Sequence, residues 1–239
     1  MNKKNVLILA GGYGSRLFPL TKFIPKIFLK FQKKYILDYH LDSLKNVSVK
    51  TIYINILNKK SYKIFLKKYS KIKNIKFIFE NKPSGTAGIL RKILLMESKL
   101  DLLIIYSDTF FENHQDKVIK KVIEYSKKKN ISISSSYSNK DISDKGVITT
   151  YKNYVKKFIE KPNLLVKSKL YFSGLVYVPS NLNTNLLKFL NQNWANKKVI
   201  DFSKEILSTN KFKIKTYTTK QEPLDFGNWI SLIKNKFKK

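Results

Sequence analysis

Four short runs of apolar and β-branched residues, Val6 to Ala10, Thr51 to Ile56, Ile75 to Phe79 and Leu102 to Tyr106, each give way to polar or glycine-bearing residues. Runs of that length read as buried strands, and Ile36 to Leu44, Ser61 to Tyr69 and Thr86 to Glu97, which lie between them, carry apolar residues at helical spacing. This alternation constrains the fold more than any other feature. It predicts an α/β fold with a mostly parallel sheet and helices on both faces.

After Asp108 the pattern loosens. Val118 to Tyr125 reads as a helix, and Ile131 to Tyr137 alternates as a strand does. Val147 to Thr150 and Val155 to Ile159 suggest a pair of short strands, and Leu170 to Val178 a longer one. Asn183 to Leu190 and Ile200 to Leu207 are predicted helices, Phe212 to Tyr217 a last strand, and a final helix begins at about Trp229. No repeat or linker interrupts the chain, so its 239 residues are expected to form one domain.

Composition removes several function classes. With no cysteine and two well-separated histidines, His40 and His114, neither disulfides nor a thiolate or histidine-rich metal cluster can be built, so any metal would sit on carboxylates. Both histidines are expected at surface or capping positions. The opening MNKKNVLILAGG imitates a signal peptide, but its apolar stretch ends at Ala10, and no segment is long enough to span a bilayer. A cytoplasmic protein with no membrane partner is expected. A net charge of +32 invites a nucleic-acid reading, yet nearly all of it is dispersed lysine, with only Arg16 and Arg91 as arginines. Base reading and stacking favour arginine's planar fork, so a solvated lysine-rich surface, and no nucleic acid, is the expectation.

One of those two arginines follows a turn that holds three of the chain's eight glycines, in Val6-Leu7-Ile8-Leu9-Ala10-Gly11-Gly12-Tyr13-Gly14-Ser15-Arg16. Open parallel sheets bind ligands beyond the carboxyl ends of their strands, and glycine there lets backbone N–H groups approach an anion closely. Gly12-Tyr13-Gly14 starts like a dinucleotide fingerprint, but Leu17 stands where its last glycine belongs, and no P-loop ending follows. What remains is a backbone cradle with the Ser15 hydroxyl, Arg16, and Pro25-Lys26 nearby, groups suited to gripping a polyphosphate.

The whole stretch GGYGSRLFPLTKFIPK resembles the signature G-G-x-G-[ST]-R-L-x-P-L-T followed by P-K of the sugar nucleotidyltransferases, also called nucleoside-diphosphate-sugar pyrophosphorylases. The resemblance implies a Rossmann-like fold of the nucleotide-diphospho-sugar transferase type, with a nucleotide-binding half over about 1–130 and a sugar-phosphate-binding half over about 131–239. It also implies that Leu9, Ala10, Gly11, Gly12, Gly14 and Ser15 embrace the nucleotide, while Arg16 and Lys26 hold the phosphates that leave as pyrophosphate.

Further stations occur in order along the chain. Pro83-Ser84-Gly85-Thr86-Ala87-Gly88 joins a strand to a helix, with glycines that let the backbone approach a flat base and Thr86 as a candidate cap. It resembles the family's L-G-T-A-G segment in its GTP-using form. Leu103 to Asp108 is a buried strand ending in an acid at the ligand edge, and it resembles the station whose aspartate binds Mg²⁺; Asp108-Thr109-Phe110-Phe111 is similar to the version in heptose-phosphate guanylyltransferases. Leu224-Asp225-Phe226-Gly227 is similar to the segment that supplies the second aspartate, so Asp108 and Asp225 would share one Mg²⁺. An N-cap is the plain alternative for Asp225. Phe158-Ile159-Glu160-Lys161-Pro162 resembles F-x-E-K-P, in which the glutamate bonds sugar hydroxyls and the lysine the sugar phosphate. Phe172-Ser173-Gly174 lies where the family shows N-x-G, with Gly174 retained and phenylalanine in place of asparagine.

The resemblance therefore implies transfer of a nucleoside monophosphate from a nucleoside triphosphate, GTP favoured, to a heptose or hexose 1-phosphate. Arg16, Lys26, Asp108, Lys161 and Asp225 would be the catalytic groups, Mg²⁺ the cofactor, the two phosphates the partners, and a homodimer stays open as an assembly. A cytidylyltransferase acting on a phospho-alcohol or phospho-amide such as phosphocholine, and a nucleotide-binding regulator without chemistry, remain as alternatives.

Overall fold

The computed structural model describes residues 3–58, 62–162, 168–194 and 196–236. The first part of the chain forms β1 (Lys4–Leu9), α1 (Leu20–Phe23), β2 (Lys30–Phe31), β3 (Lys34–Tyr35), α2 (Ile36–Ser43), β4 (Val49–Leu57), α3 (Lys63–Tyr69) and β5 (Ile75–Glu80). Next come α4 (Thr86–Met96), β6 (Leu102–Tyr106), β7 (Thr109–Phe110), α5 (Gln115–Ser126), β8 (Ile131–Tyr137), β9 (Gly146–Tyr151), β10 (Tyr154–Glu160) and β11 (Leu170–Val178). The remainder is α6 (Asn183–Trp194), β12 (Ile214–Thr219), β13 (Leu224–Asp225) and α7 (Trp229–Lys236). Ser61, the expected start of the third helix, lies outside the described residues.

The chain forms two compact units that interleave in sequence. The first takes residues 1–83, 105–116 and 223–239, and the second takes 84–104 and 117–222. In the first unit β1 pairs in parallel with β4, and β4 with β5. Val6, Leu7 and Ile8 are fully buried, as are Ile54 and Ile56, which is why these strands read as unbroken apolar runs. A second cluster of Leu17, Leu29, Phe31, Ile36, Phe110, Leu224 and Phe226 lies within the same unit. There the Phe110 and Phe226 rings stack at 5.6 Å, and Phe31 meets Phe226 edge-on at 5.4 Å.

The second unit corrects the expectation of a mostly parallel sheet. There β8 and β12 run in parallel, whereas β11 with β8, β10 with β9 and β10 with β12 are antiparallel, so the sheet is mixed. The cause is local. Lys152 (φ 47°) and Asn153 (φ 65°) both take left-handed backbone between β9 and β10, the two-residue turn whose twist suits a hairpin and returns the chain antiparallel.

Two further expectations shift. Ile200 to Leu207 is not a regular helix but a single π-helical turn over Ser203–Leu207, because the preceding residues are engaged elsewhere, and the last predicted strand begins at Ile214. Among the described residues no helix is long and apolar enough to cross a membrane.

Candidate active site

The buried strand β1 delivers the chain to the glycine turn, and two buried polar side chains shape its start. Asn55 Oδ1, near the carboxyl end of β4, accepts the Ala10 N–H at 2.9 Å, while Asn55 Nδ2 donates to Glu80 Oε2 at 2.8 Å. A Cβ on Gly11 would run into Asn55 Nδ2, whereas one on Gly12 would meet nothing within 4 Å. The first glycine is thus required by packing from below, and the second keeps an exposed main chain open above. The Ala10 amide is thus engaged by Asn55.

Gly14 has φ 64° and ψ 31°, and its carbonyl accepts both the Leu17 N–H at 2.8 Å and the Thr21 hydroxyl at 2.9 Å. The resulting short turn buries Leu17 completely and leaves Ser15 and Arg16 exposed. Lys26 opens another short turn. Its neighbours Ile27 and Phe28 are buried, with Phe28 stacked on Tyr69 at 5.6 Å and on Phe65 at 5.1 Å.

The two acids arrive on neighbouring strands. Asp108 follows β6, and β7 immediately after it pairs antiparallel with β13, so that Asp225 stands opposite Thr109. The Phe226 N–H donates to the Asp108 carbonyl at 2.7 Å. Burial of Phe110, Leu224 and Phe226 in the aromatic cluster holds this bridge, because each residue that faces the core leaves its neighbour in the strand facing outward.

One cation reaches an acid, and the other stands beside the second acid's turn. Lys26 Nζ lies 3.4 Å from Asp108 Oδ2, with 18% and 31% of the side chains exposed. Asp225 Oδ1 accepts the Gly227 N–H at 2.6 Å, and a Cβ on Gly227 would lie 3.3 Å from Arg16 Nη2, which places the guanidinium beside that turn. Asp225 is not the N-cap of α7. Asn228 fills that role, with Oδ1 accepting the Ser231 N–H at 2.9 Å. Gly12, Gly14, Ser15, Arg16, Lys26, Asp108 and Asp225 therefore belong to one unit and one neighbourhood.

The second unit gathers other stations. Gly85 (φ 83°, ψ 169°) precedes α4, and a Cβ there would collide with the Ile200 carbonyl oxygen. The close approach that this glycine permits is thus to the chain's own backbone. Ile200 O accepts the Ala87 and Gly88 amides at 2.9 and 3.2 Å, and the Ser84 carbonyl accepts the Ile200 N–H at 2.9 Å. Thr86 is not the cap, which is Gly85. Its hydroxyl instead accepts the Phe202 N–H at 2.7 Å and lies 3.3 Å from Asp201 Oδ2.

Glu160 ends β10 opposite Gly146. Burial pushes its carboxyl up from the usual range; the Asp201 charge adds to this, and Lys161 and Lys204 oppose it. Lys161 takes φ 49° and bonds the Lys145 carbonyl through its N–H at 2.9 Å. Gly174 (φ 93°) marks the irregularity in β11 between Phe172 and Val176, and Pro83 is counted with the first unit.

Sequence reasoning missed Asn55, Glu80, Asp201, His40 and Gln115. The last two are buried, and His40 Nε2 lies 3.2 Å from the Ser107 carbonyl oxygen. A signal for His40 was present: with Ile36 and Leu44 it falls on one helical face at four-residue steps.

Comparison with known proteins agrees with this geometry. Residues 5–238 match the family described as "Nucleotidyl transferase". Mannose-1-phosphate guanylyltransferase catalytic subunit beta of Drosophila melanogaster is 29% identical over 188 residues, 76% of this chain and 50% of that protein. The bifunctional sugar-1-phosphate nucleotidylyltransferase/acetyltransferase of Sulfurisphaera tokodaii is 32% identical over 182 residues, 76% of this chain and 42% of that protein. The chain thus spans about half the length of these relatives. The crystal structure of a UDP-glucose pyrophosphorylase complexed with UDP-glucose shares the fold, with a TM-score of 0.77 at 19% identity over 98% of this chain and 97% of that one. A glycine turn with its arginine, a lysine on one aspartate, and a match from residue 5 to residue 238 place the chain in the nucleotidyl transferase family.

Proposed function

We propose that the chain catalyses transfer of a nucleoside monophosphate from a nucleoside triphosphate, GTP preferred, to a heptose or hexose 1-phosphate, with release of pyrophosphate. The observation that carries this reading is the convergence of Arg16, Lys26, Asp108 and Asp225 around the glycine turn. The relatives' names, a mannose-1-phosphate guanylyltransferase among them, support the substrate class.

In-line displacement at the α-phosphorus needs no protein nucleophile, since the sugar phosphate is itself an anionic attacker. Alignment and charge neutralisation carry the catalysis. Arg16 and Lys26 bind the β- and γ-phosphates and stabilise the departing pyrophosphate. Lys161 orients the attacking phosphate, and Glu160 accepts hydrogen bonds from the sugar hydroxyls. The open main chain at Gly12 admits phosphate oxygens to backbone N–H groups.

The acid pair fits a hard cation. Mg²⁺ takes oxygen ligands and is commonly bound through one or two carboxylates, with phosphate and water oxygens completing its octahedron. Asp108 and Asp225 are the proposed ligand set; among the described residues no group of three or more His, Asp or Glu side chains could hold a metal by itself, so the remaining ligands would be phosphate and water oxygens. Bound there, the ion would supply neutralisation of phosphate charge.

The test crosses four nucleoside triphosphates with several sugar 1-phosphates and reads pyrophosphate release. Turnover is expected for GTP with a hexose or heptose 1-phosphate, and it should disappear on chelation. Arg16→Ala and Asp108→Asn should each lower it by roughly two to three orders of magnitude with an unchanged circular dichroism spectrum. Near-normal activity of either variant would remove that residue from the site, and productive use of CTP with a phospho-alcohol or phospho-amide would overturn the substrate assignment.

A further inference from the structure

The loop that carries Asp108 is gripped from beneath by two buried side chains that the proposed reaction leaves unused. His40, on α2, is fully buried, and Gln115, at the start of α5, is 5% exposed. His40 Nε2 lies 3.2 Å from the Ser107 carbonyl oxygen, and Gln115 Nε2 lies 3.1 Å from His40 Nδ1. Gln115 Oε1 accepts the Phe111 N–H at 2.7 Å.

These three bonds assign every proton in the chain. The Phe111 N–H can only donate, so the oxygen of the Gln115 amide faces it and the nitrogen faces the imidazole. That nitrogen also can only donate, so Nδ1 must be bare. The remaining ring proton then sits on Nε2 and is donated to Ser107. The ring is neutral, as its burial requires.

The two ends of this relay bracket Asp108. One holds the residue before it, Ser107, and the other holds Phe111, just past β7. Ser107 also donates its hydroxyl to the carbonyl of Leu9, the last residue of β1 and the one that leads into the glycine turn. Thus one connected set of bonds sets the spacing between the acid and the phosphate cradle.

We propose that His40 and Gln115 are positioning residues for the active site: a neutral, Nε2-protonated imidazole and an amide relay that fix the Asp108 loop against the glycine turn. Neither touches substrate. The inference rests on the reading of Asp108 as a catalytic acid, and it goes further by assigning the fixed geometry of that acid to a buried relay.

His40→Phe keeps the ring and removes both bonds, while Gln115→Met keeps the length of the side chain and cuts the relay at its other member. His40→Gln retains a donor for Ser107 and an acceptor for the Gln115 amide. Two readouts are needed. Hydrogen–deuterium exchange on the protein without ligands should show residues 107–111 exchanging roughly tenfold faster in His40→Phe and Gln115→Met while β1 stays protected. In pyrophosphate release with GTP and mannose 1-phosphate, or another pair that the wild type uses, kcat should fall about ten- to a hundredfold, since small misplacements are costly. The KM for GTP should stay within about threefold, because a residue that aligns without touching substrate alters the reacting geometry more than binding. His40→Gln should recover most of the loss in kcat.

Unchanged exchange and unchanged kcat in both disruptive variants would overturn the inference, as would a His40→Gln protein as impaired as His40→Phe. If His40→Phe does not fold, Gln115→Met decides alone. A wild type without turnover for any substrate pair counts against the proposed reaction, and loop exchange then judges the relay by itself.

Discussion

At the scale of single residues, adjacent glycines do different work. Gly11 faces inward onto Asn55 and Glu80, so Gly11→Ala must displace a buried hydrogen-bonded pair, at a cost of roughly 2–3 kcal/mol by the usual penalty for overpacking and unsatisfied buried groups. Gly12→Ala meets open space and should leave the urea midpoint nearly unchanged while weakening nucleotide binding. Paired denaturation curves check the contrast; equal midpoints for the two variants would refute it. His40 gives a second residue-level expectation. Burial lowers its pKa from 6.5 to about 4, the Ser107 bond opposing the shift only in part. Between those values the unfolded chain binds a proton that the folded chain refuses, so this contribution to stability is present above pH 6.5 and is lost as pH falls toward 4. The loss between pH 7 and pH 5 is about 2 kcal/mol by linkage, and a His40→Gln protein should lack it in urea titrations at the two pH values. Of these residues only Gly11 and Gly12 were legible in the sequence, as members of a motif. What separates them is a contact with residues from two other strands. His40 was expected at a surface or capping position because a lone histidine carries no chemical signal, although its four-residue spacing from Ile36 and Leu44 pointed inward.

Among the elements, those defined by their own periodicity were legible: β1, β4, β5, α4, β8 and β11 fall within a few residues of the apolar runs that predict them. The two-residue strands β7 and β13 were not. Each is too short to carry a pattern, and they exist because chain segments far apart in sequence meet over the Phe110–Phe226 stack. That bridge seats both candidate metal ligands, so the acids were recognisable one by one but the device that joins them was not. The start of α4 shows the same limit. Its glycine was read as making room for a base, yet its left-handed backbone lets the helix amides close on Ile200, and Thr86 then takes up the Phe202 amide. The 200–207 segment, apolar at helical spacing, gives up regular helix because its first residues serve α4. Gly85→Ala should therefore destabilise by more than about 2 kcal/mol, combining φ +83° strain with collision against a main-chain carbonyl. Thermal or urea unfolding would check this, and a neutral substitution would mean that the α4–Ile200 stitch does not hold in solution.

For the whole molecule the question is what a net charge of +32 does. Of 48 cationic side chains two are arginine, and one of those, Arg16, stands at the glycine turn; the described lysines lie mostly at exposed positions. A dispersed field cannot read a base sequence, but it attracts any polyanion, and a nucleoside triphosphate is one. The expected consequence is kinetic. Electrostatic steering raises association rates by about ten- to a thousandfold at low ionic strength and is screened once the Debye length falls below the spacing of the charges. For GTP, the proposed donor, kcat/KM should therefore fall by roughly tenfold between dilute buffer and half-molar salt, while kcat, which the proposed reaction assigns to the groups around Asp108, should change little. Steady-state kinetics across a potassium chloride series measures both. A salt-independent kcat/KM would show that the lysine surface does not serve capture of the nucleotide. A sequence-independent RNA affinity falling steeply and linearly with log salt, with RNA inhibiting GTP turnover, would instead show that the same field is occupied by nucleic acid.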